Sequence, residues 1–207
     1  MQIQTRPRSG NILSDTSPHL SPLARRVLAG RGIDQAEELT FNLRQLHAVQ
    51  TLGGVNEGAA LLAEAVEGGR RILVVGDYDA DGATATALAL RALQLMGHAA
   101  VDFLVPDRFK YGYGLTPAIV ELAQAVSPWL LMTVDNGVSS IEGVEAARAL
   151  GYRTLITDHH LPGEQLPACD VMVNPNLRGD GFPSKALAGV GVVFYLMLAL
   201  KKALTER

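Results

Sequence analysis

From Arg71 onward the chain alternates short, continuously apolar runs with stretches of helical periodicity. The runs are RILVVG (71–76), AAVDFLVP (99–106), WLLMTV (129–134), YRTLIT (152–157) and DVMVN (170–174). Helical patterns fall between them at about 82–96, 116–126 and 139–150, and a last one covers about 186–204. A strand with one wet face alternates apolar and polar residues, whereas runs apolar at every position fit strands covered on both faces of a parallel sheet. The pattern predicts an α/β fold: a doubly wound, mainly parallel five-stranded sheet. A small helical segment precedes it. SPLARRVLAGRGI (21–33) predicts a helix with Ser21 as N-cap, Pro22 in the first turn and Gly30 or Gly32 as the stop. A second short helix starts over Asp34 to Leu39. NEGAALLAEAVEGG (56–69) predicts a third, capped by Asn56 and ended by Gly68-Gly69. Residues 1 to about 20 carry Pro, Ser and Arg without periodicity and read as a loose arm. The expected division is an arm with short helices over 1–50 and the α/β domain over 51–207.

The polar residues change this picture because of where they fall. Ligands of a doubly wound sheet bind outside the carboxyl ends of its strands. The first run ends in Gly76-Asp77-Tyr78-Asp79-Ala80-Asp81, the third in Asp135-Asn136-Gly137 and the fourth in Asp158-His159-His160. Three strand ends thus deliver five aspartates and two histidines to one rim. Asp77, Asp79 and Asp81 on one side of an extended segment would stand about 6–7 Å apart, repelling one another unless something positive sits among them. An EF-hand loop is a poor account, since its twelfth position is Leu88 rather than glutamate and a strand, not a helix, precedes it. VVGDYDADG also lacks the G-x-G-x-x-G of a dinucleotide-binding turn.

Carboxylates with one or two imidazoles and no thiolate favour Mn²⁺ or Mg²⁺. The carboxylates suffice for two ions sharing a bridging ligand, and two cations roughly 3.5–4 Å apart are a standard device for phosphate-ester hydrolysis. Gly82, Ala83, Thr84 and Ala85 would let the following helix bring its N-terminus close to that site.

Composition adds limits. A formal net charge of −3 and a pI near 5.9 leave no overall basic footprint, so a nucleic-acid partner must be attracted by local patches or bound cations. The single cysteine, Cys169, excludes an internal disulfide and fits a reducing cytoplasm. The longest apolar stretch, Ala186 to Leu200, is about 15 residues, short of the ~20 that span a bilayer, so no membrane attachment is expected.

With these residues in hand, GDYDADGATATA, VDNGVSS and TDHHLPG resemble motifs one to three of the DHH phosphoesterases. VPDRFKYGYGL, VNPN and FPSKALAGVGVVFYLMLAL are similar to the branch of that superfamily formed by bacterial single-stranded-DNA-specific exonucleases acting from the 5′ end. The resemblance implies that Asp79 and Asp135 hold one ion, with Asp77 completing or supporting the site. Asp81, Asp135 and His159 would hold the other, with Asp135 bridging. His160 would face the scissile phosphate, and Asp158 would orient an imidazole. Arg108 and Lys110 would contact phosphates, Gly112 and Gly114 would admit the strand, and Tyr111 or Tyr113 would stack on a base. Gly189 and Gly191 would start the last helix close to the site. Hydrolysis would release 5′-mononucleotides in recombination and repair. The implied partners are single-stranded DNA, a single-strand-binding protein and a recombination helicase, with the enzyme a monomer.

The same resemblance implies a fourth motif, a second α/β domain (DHHA1) and an OB-like domain beyond Arg207, so that this chain is an N-terminal piece. The nearest alternatives are another DHH activity (an oligoribonuclease, a cyclic-dinucleotide phosphodiesterase or a pyrophosphatase) and a catalytically inactive DNA-binding scaffold. The loop segments outside the three motifs and the N-terminal helical arm favour the exonuclease over the other DHH activities, and the retained carboxylates argue against the scaffold.

Overall fold

Strands β1 (Ile72–Val75), β2 (Val101–Leu104), β3 (Leu130–Val134), β4 (Arg153–Thr157) and β5 (Val171–Val173) form one sheet in the order β2-β1-β3-β4-β5, and every neighbouring pair is parallel. The computed structural model of the chain describes residues 20–33, 35–40 and 42–206. It divides into two compact units, Met1–Leu46 and His47–Arg207.

In the first unit, helix α1 (Pro22–Ala29) starts as its sequence directs: Ser21 Oγ accepts from Ala24 N–H and Pro22 opens the first turn. Single 3₁₀ turns follow over Ala36–Leu39 and Leu43–Gln45. The arm over residues 1–19 and the expected helix start at Asp34 lie outside the described residues.

The second unit carries helices α2 (Val55–Glu67), α3 (Ala80–Leu95), α4 (Arg108–Tyr111), α5 (Pro117–Ala123), α6 (Ile141–Ala149) and α7 (Gly189–Thr205). Alternate strand residues feed two cores, as a sheet covered on both faces requires. Ile72, Val74, Leu130, Met132 and Leu155 pack beneath α2, α3 and α7 with Leu62, Leu93, Val193 and Leu196. Leu73, Val75, Leu131 and Ile156 pack beneath α5 and α6 with Ile119, Val120 and Val144. Each such side chain contributes roughly 1.5–3 kcal/mol by leaving water.

Two expectations are corrected. Gly54, not Asn56, precedes the first turn of α2, and Asn56 lies inside the helix, because the helical backbone already begins at Val55. The last helix begins at Gly189 rather than near Ala186, since Ala188 is still extended. Among the described residues no helix is long and apolar enough to cross a membrane. The chain leaves β1 for β2 on one side and returns to β3 on the other, so the crevice between the carboxyl ends of β1 and β3 is the topological switch point.

Candidate metal centre

The first run of aspartates does not stay extended. Asp79 caps α3, its Oδ1 accepting from Gly82 N–H at 3.0 Å, so the helix begins at Ala80 and the expected row of evenly spaced carboxylates is folded up. Asp77 is thereby buried and Asp81 is carried onto the first turn of α3. Gly82 is required there, because a Cβ would stand 2.5 Å from Asp77 Cβ.

Asp135 follows β3 with φ +62°, a backbone state that aspartate tolerates better than most side chains. The Asp135 amide donates to Thr157 O, Thr133 Oγ1 donates to Asn136 O, and Asn136 Nδ2 donates to Val75 O and Val134 O. These bonds pin the turn between β1, β3 and β4 and leave Asp135 1% exposed. His159 Nε2 lies 3.0 Å from Asp135 Oδ1, but not in hydrogen-bonding geometry, and that oxygen has no hydrogen-bond partner among the described residues. Burial, then the charges of Asp81 and Asp79, push the Asp135 carboxyl from 3.8 up to about 7, with His160 pulling the other way.

After β4, Asp158 organises the two histidines. Its Oδ1 accepts from the amides of His159 and His160 and pairs with His160 Nδ1 at 2.7 Å, while Oδ2 accepts from Val138 N–H. Burial lowers the pKa of His160, but the bond to Asp158 and the negative charges around it outweigh that and hold the imidazole above its ordinary value. Asp158 therefore orients His160, not His159. Tyr113 Oη donates to Asp135 O at 3.3 Å and lies 3.4 Å from His160 Nδ1.

The positive charge among the aspartates is Arg108. The loop expected around it contains the short helix α4, capped by Asp107, which turns the guanidinium inward. Arg108 forms a two-pronged pair with Asp77, approaches Asp79 at 3.7 Å, and lies 4.4 Å from the ring centre of Tyr78 and 4.8 Å from that of Tyr113. Lys110, in contrast, rests over Tyr111, 4.9 Å from its ring centre. Tyr78 and Phe109 add exposed aromatic surface that the motifs alone did not single out.

The start of α7 closes the site. The amides of Gly189 and Val190 donate to Asp81 Oδ2 and Oδ1, each at 2.7 Å. Gly191 is packed against the Leu187 side chain. One ligand atom each from Asp77, Asp79 and Asp135 lie within 4.8 Å of one another, and so do atoms from Asp135, His159 and His160. Asp135 belongs to both groups. Asp81 stands beside the second, 3.5 Å from His159 Nε2, with its oxygens on the α7 amides. A buried carboxylate with a proton affinity near neutrality and an unpartnered oxygen, flanked by carboxylate and imidazole donors, is a coherent set for a hard divalent cation, whose charge would offset the repulsion.

Comparison with known proteins agrees with this architecture. Residues 71–207 match the family model "DHH family, N-terminal domain". The chain is 50% identical over 206 residues to the single-stranded-DNA-specific exonuclease RecJ of Escherichia coli K12, covering 100% of this chain and 36% of that protein. It is 38% identical over 200 residues to RecJ of Bacillus subtilis 168, covering 94% of this chain and 25% of that protein. Among solved structures, exonuclease RecJ bound to manganese superposes with a TM-score of 0.70 at 38% identity, over 77% of this chain and 40% of that one. RecJ of Thermus thermophilus in complex with Mn²⁺ gives 0.69 at 32% identity, over 94% and 27%. The chain spans between a quarter and just over a third of the length of these curated relatives.

Proposed function

This chain belongs to the DHH family, and from that premise we propose that it is the metal-binding part of a 5′→3′ exonuclease specific for single-stranded DNA. The observation that carries the reading is the meeting of two donor groups on one buried carboxylate, Asp135. The relatives named single-stranded-DNA-specific exonuclease and the manganese-bound RecJ structure support the substrate and the ion.

Asp77, Asp79, Asp135 and His159 would hold Mn²⁺ or Mg²⁺, with Asp81 beside them. Paired divalent cations supply an activated water and charge stabilisation on the phosphoryl oxygens. His160, whose Nδ1 is held by Asp158 and whose proton affinity is raised by it, would as the imidazolium offer an Nε2 proton to the leaving oxygen. Arg108 and the aromatic surface of Tyr78, Phe109 and Tyr113 line the approach for a phosphate and its base. A cavity of about 380 Å³ beside His160, lined by Tyr113, Leu115, Val138, Ser139 and Ile141, offers room for a sugar or base. The family resemblance adds a cytoplasmic monomer working with single-strand-binding protein and a recombination helicase.

The test is competition among 5′-labelled single-stranded DNA, duplex DNA and short RNA, each incubated with the full-length protein and Mn²⁺. Loss of the single-stranded DNA first, with mononucleotides as product, supports the reading; preferred loss of RNA would transfer the chain to an oligoribonuclease role. In the same protein, His159→Ala should weaken Mn²⁺ binding about tenfold in calorimetry, and unchanged affinity would remove that imidazole from the ion. Arg108→Ala should weaken single-strand binding and lower the slope of log K against log salt by about one. An unaltered slope would restrict Arg108 to its pair with Asp77.

A further inference from the structure

The two histidines lie just beyond the end of β4, where no strand ladder holds their backbone. Asn174 and Asn176, just past β5, take over that task. Asn174 is fully buried, and its Nδ2 donates to His160 O at 3.0 Å. Its Oδ1 accepts from Asn176 N–H at 2.8 Å, and Asn176 Nδ2 donates to His159 O through a short hydrogen bond. Pro175 sits between them, and its carbonyl accepts from Lys185 Nζ at 2.6 Å. The amides of His159 and His160 are meanwhile spent on Asp158. Every backbone polar group of the two histidines therefore ends on a side chain, the N–H groups on one carboxylate and the carbonyls on two side-chain amides.

We propose that Asn174 and Asn176 are positioning residues for the two imidazoles, clamping the His159 and His160 carbonyls so that both rings keep their place beside Asp135. The proposal rests on the metal-binding reading of that site. Ligands must be held to about 0.5 Å and 10–20° to serve an ion, and a ring on an unladdered loop meets that tolerance only if its peptide planes cannot tilt. An asparagine does this better than a serine would, because its planar amide donates to one carbonyl while its oxygen stays free to accept from the next turn. Here Asn174 does both, and so fixes Asn176 as well.

The experiment uses the full-length protein carrying Asn174→Leu, which keeps the volume and removes the hydrogen bonds, or Asn176→Ala at the less buried position should the first fail to fold. Calorimetric titration with Mn²⁺ is combined with pulsed EPR of the imidazole nitrogen coupling to bound Mn²⁺ and with melting of the metal-free protein. Mn²⁺ affinity is expected to fall about tenfold and the nitrogen coupling to weaken, while the folded, metal-free variant keeps its cooperative melt. Wild-type affinity and coupling in a folded variant would overturn the clamp and leave the metal site standing. Failure of the wild-type protein to take up Mn²⁺ would remove the metal reading and the clamp together.

Discussion

In the full-length protein, Asp135→Asn is expected to slow the proposed hydrolysis about a thousandfold and, in the presence of a chelator, to raise the melting temperature at neutral pH. The first effect follows from removing the shared charge of both donor groups: several kcal/mol of transition-state stabilisation, at about 1.4 kcal/mol per factor of ten, is of that order. The second follows from the pKa. An unfolded aspartate ionises near 3.8, whereas the folded Asp135 keeps its proton to about 7. Between those values the native state binds more protons than the unfolded one. Metal-free stability should therefore fall as pH rises from about 4 to about 7 and stay low above that. The loss is on the order of a few kcal/mol, and the uncharged amide abolishes it while fitting the same positive-φ turn. Melting curves in chelator across that window, for both proteins, check the point. A wild-type curve as flat as that of the variant would mean that Asp135 carries no such burden.

Gly189→Ala carries the next largest effect. A Cβ at this position would stand 2.5 Å from Asp135 Oδ1 and 2.8 Å from its Cβ and Cγ, closer than real side chains approach. Either α7 retreats, breaking the two amide bonds to Asp81, or Asp135 leaves its turn. A displacement near 1 Å costs about a hundredfold in rate, and overpacking costs about 1–3 kcal/mol of stability. Steady-state assays and denaturant titration of the full-length variant measure both. Normal activity would show that the α7 N-terminus and Asp135 need not touch.

The strands were readable because their runs are mostly apolar, most completely in β1, whereas the edge strand β2 carries Asp102 and leaves Phe103 exposed; β1 to β5 all fall inside the expected runs. The helix starts were less readable. Asn56 is a good cap by type, but Gly54 already turns the chain into α2. The four-residue helix α4 was hidden in what reads as a polar loop, although Asp107 two positions before Phe109 is a cap signal. At the candidate site the convergence of Asp77, Asp79, Asp135, His159 and His160 followed from placing each motif at a carboxyl strand end, since parallel strands put those ends on one rim. The pairing of Arg108 with Asp77, 31 residues away, had no local signature. The amide contacts of Asn174 and Asn176 had none either, because an asparagine after a strand reads the same whether its amide meets water or a carbonyl.

Chemistry that depends on period and residue type was thus set by the chain alone: an α/β sheet covered on both faces, with carboxylates and imidazoles at three strand ends. Those features arise from interactions between near neighbours and from the uniform geometry of a strand. Tertiary structure decided which carboxylate is shared, which histidine Asp158 orients, where the guanidinium lies and how closely α7 approaches Asp135. These are distances between segments far apart in sequence, and they emerge only when packing of the two cores brings α3, α7 and the loops after β3, β4 and β5 against one another.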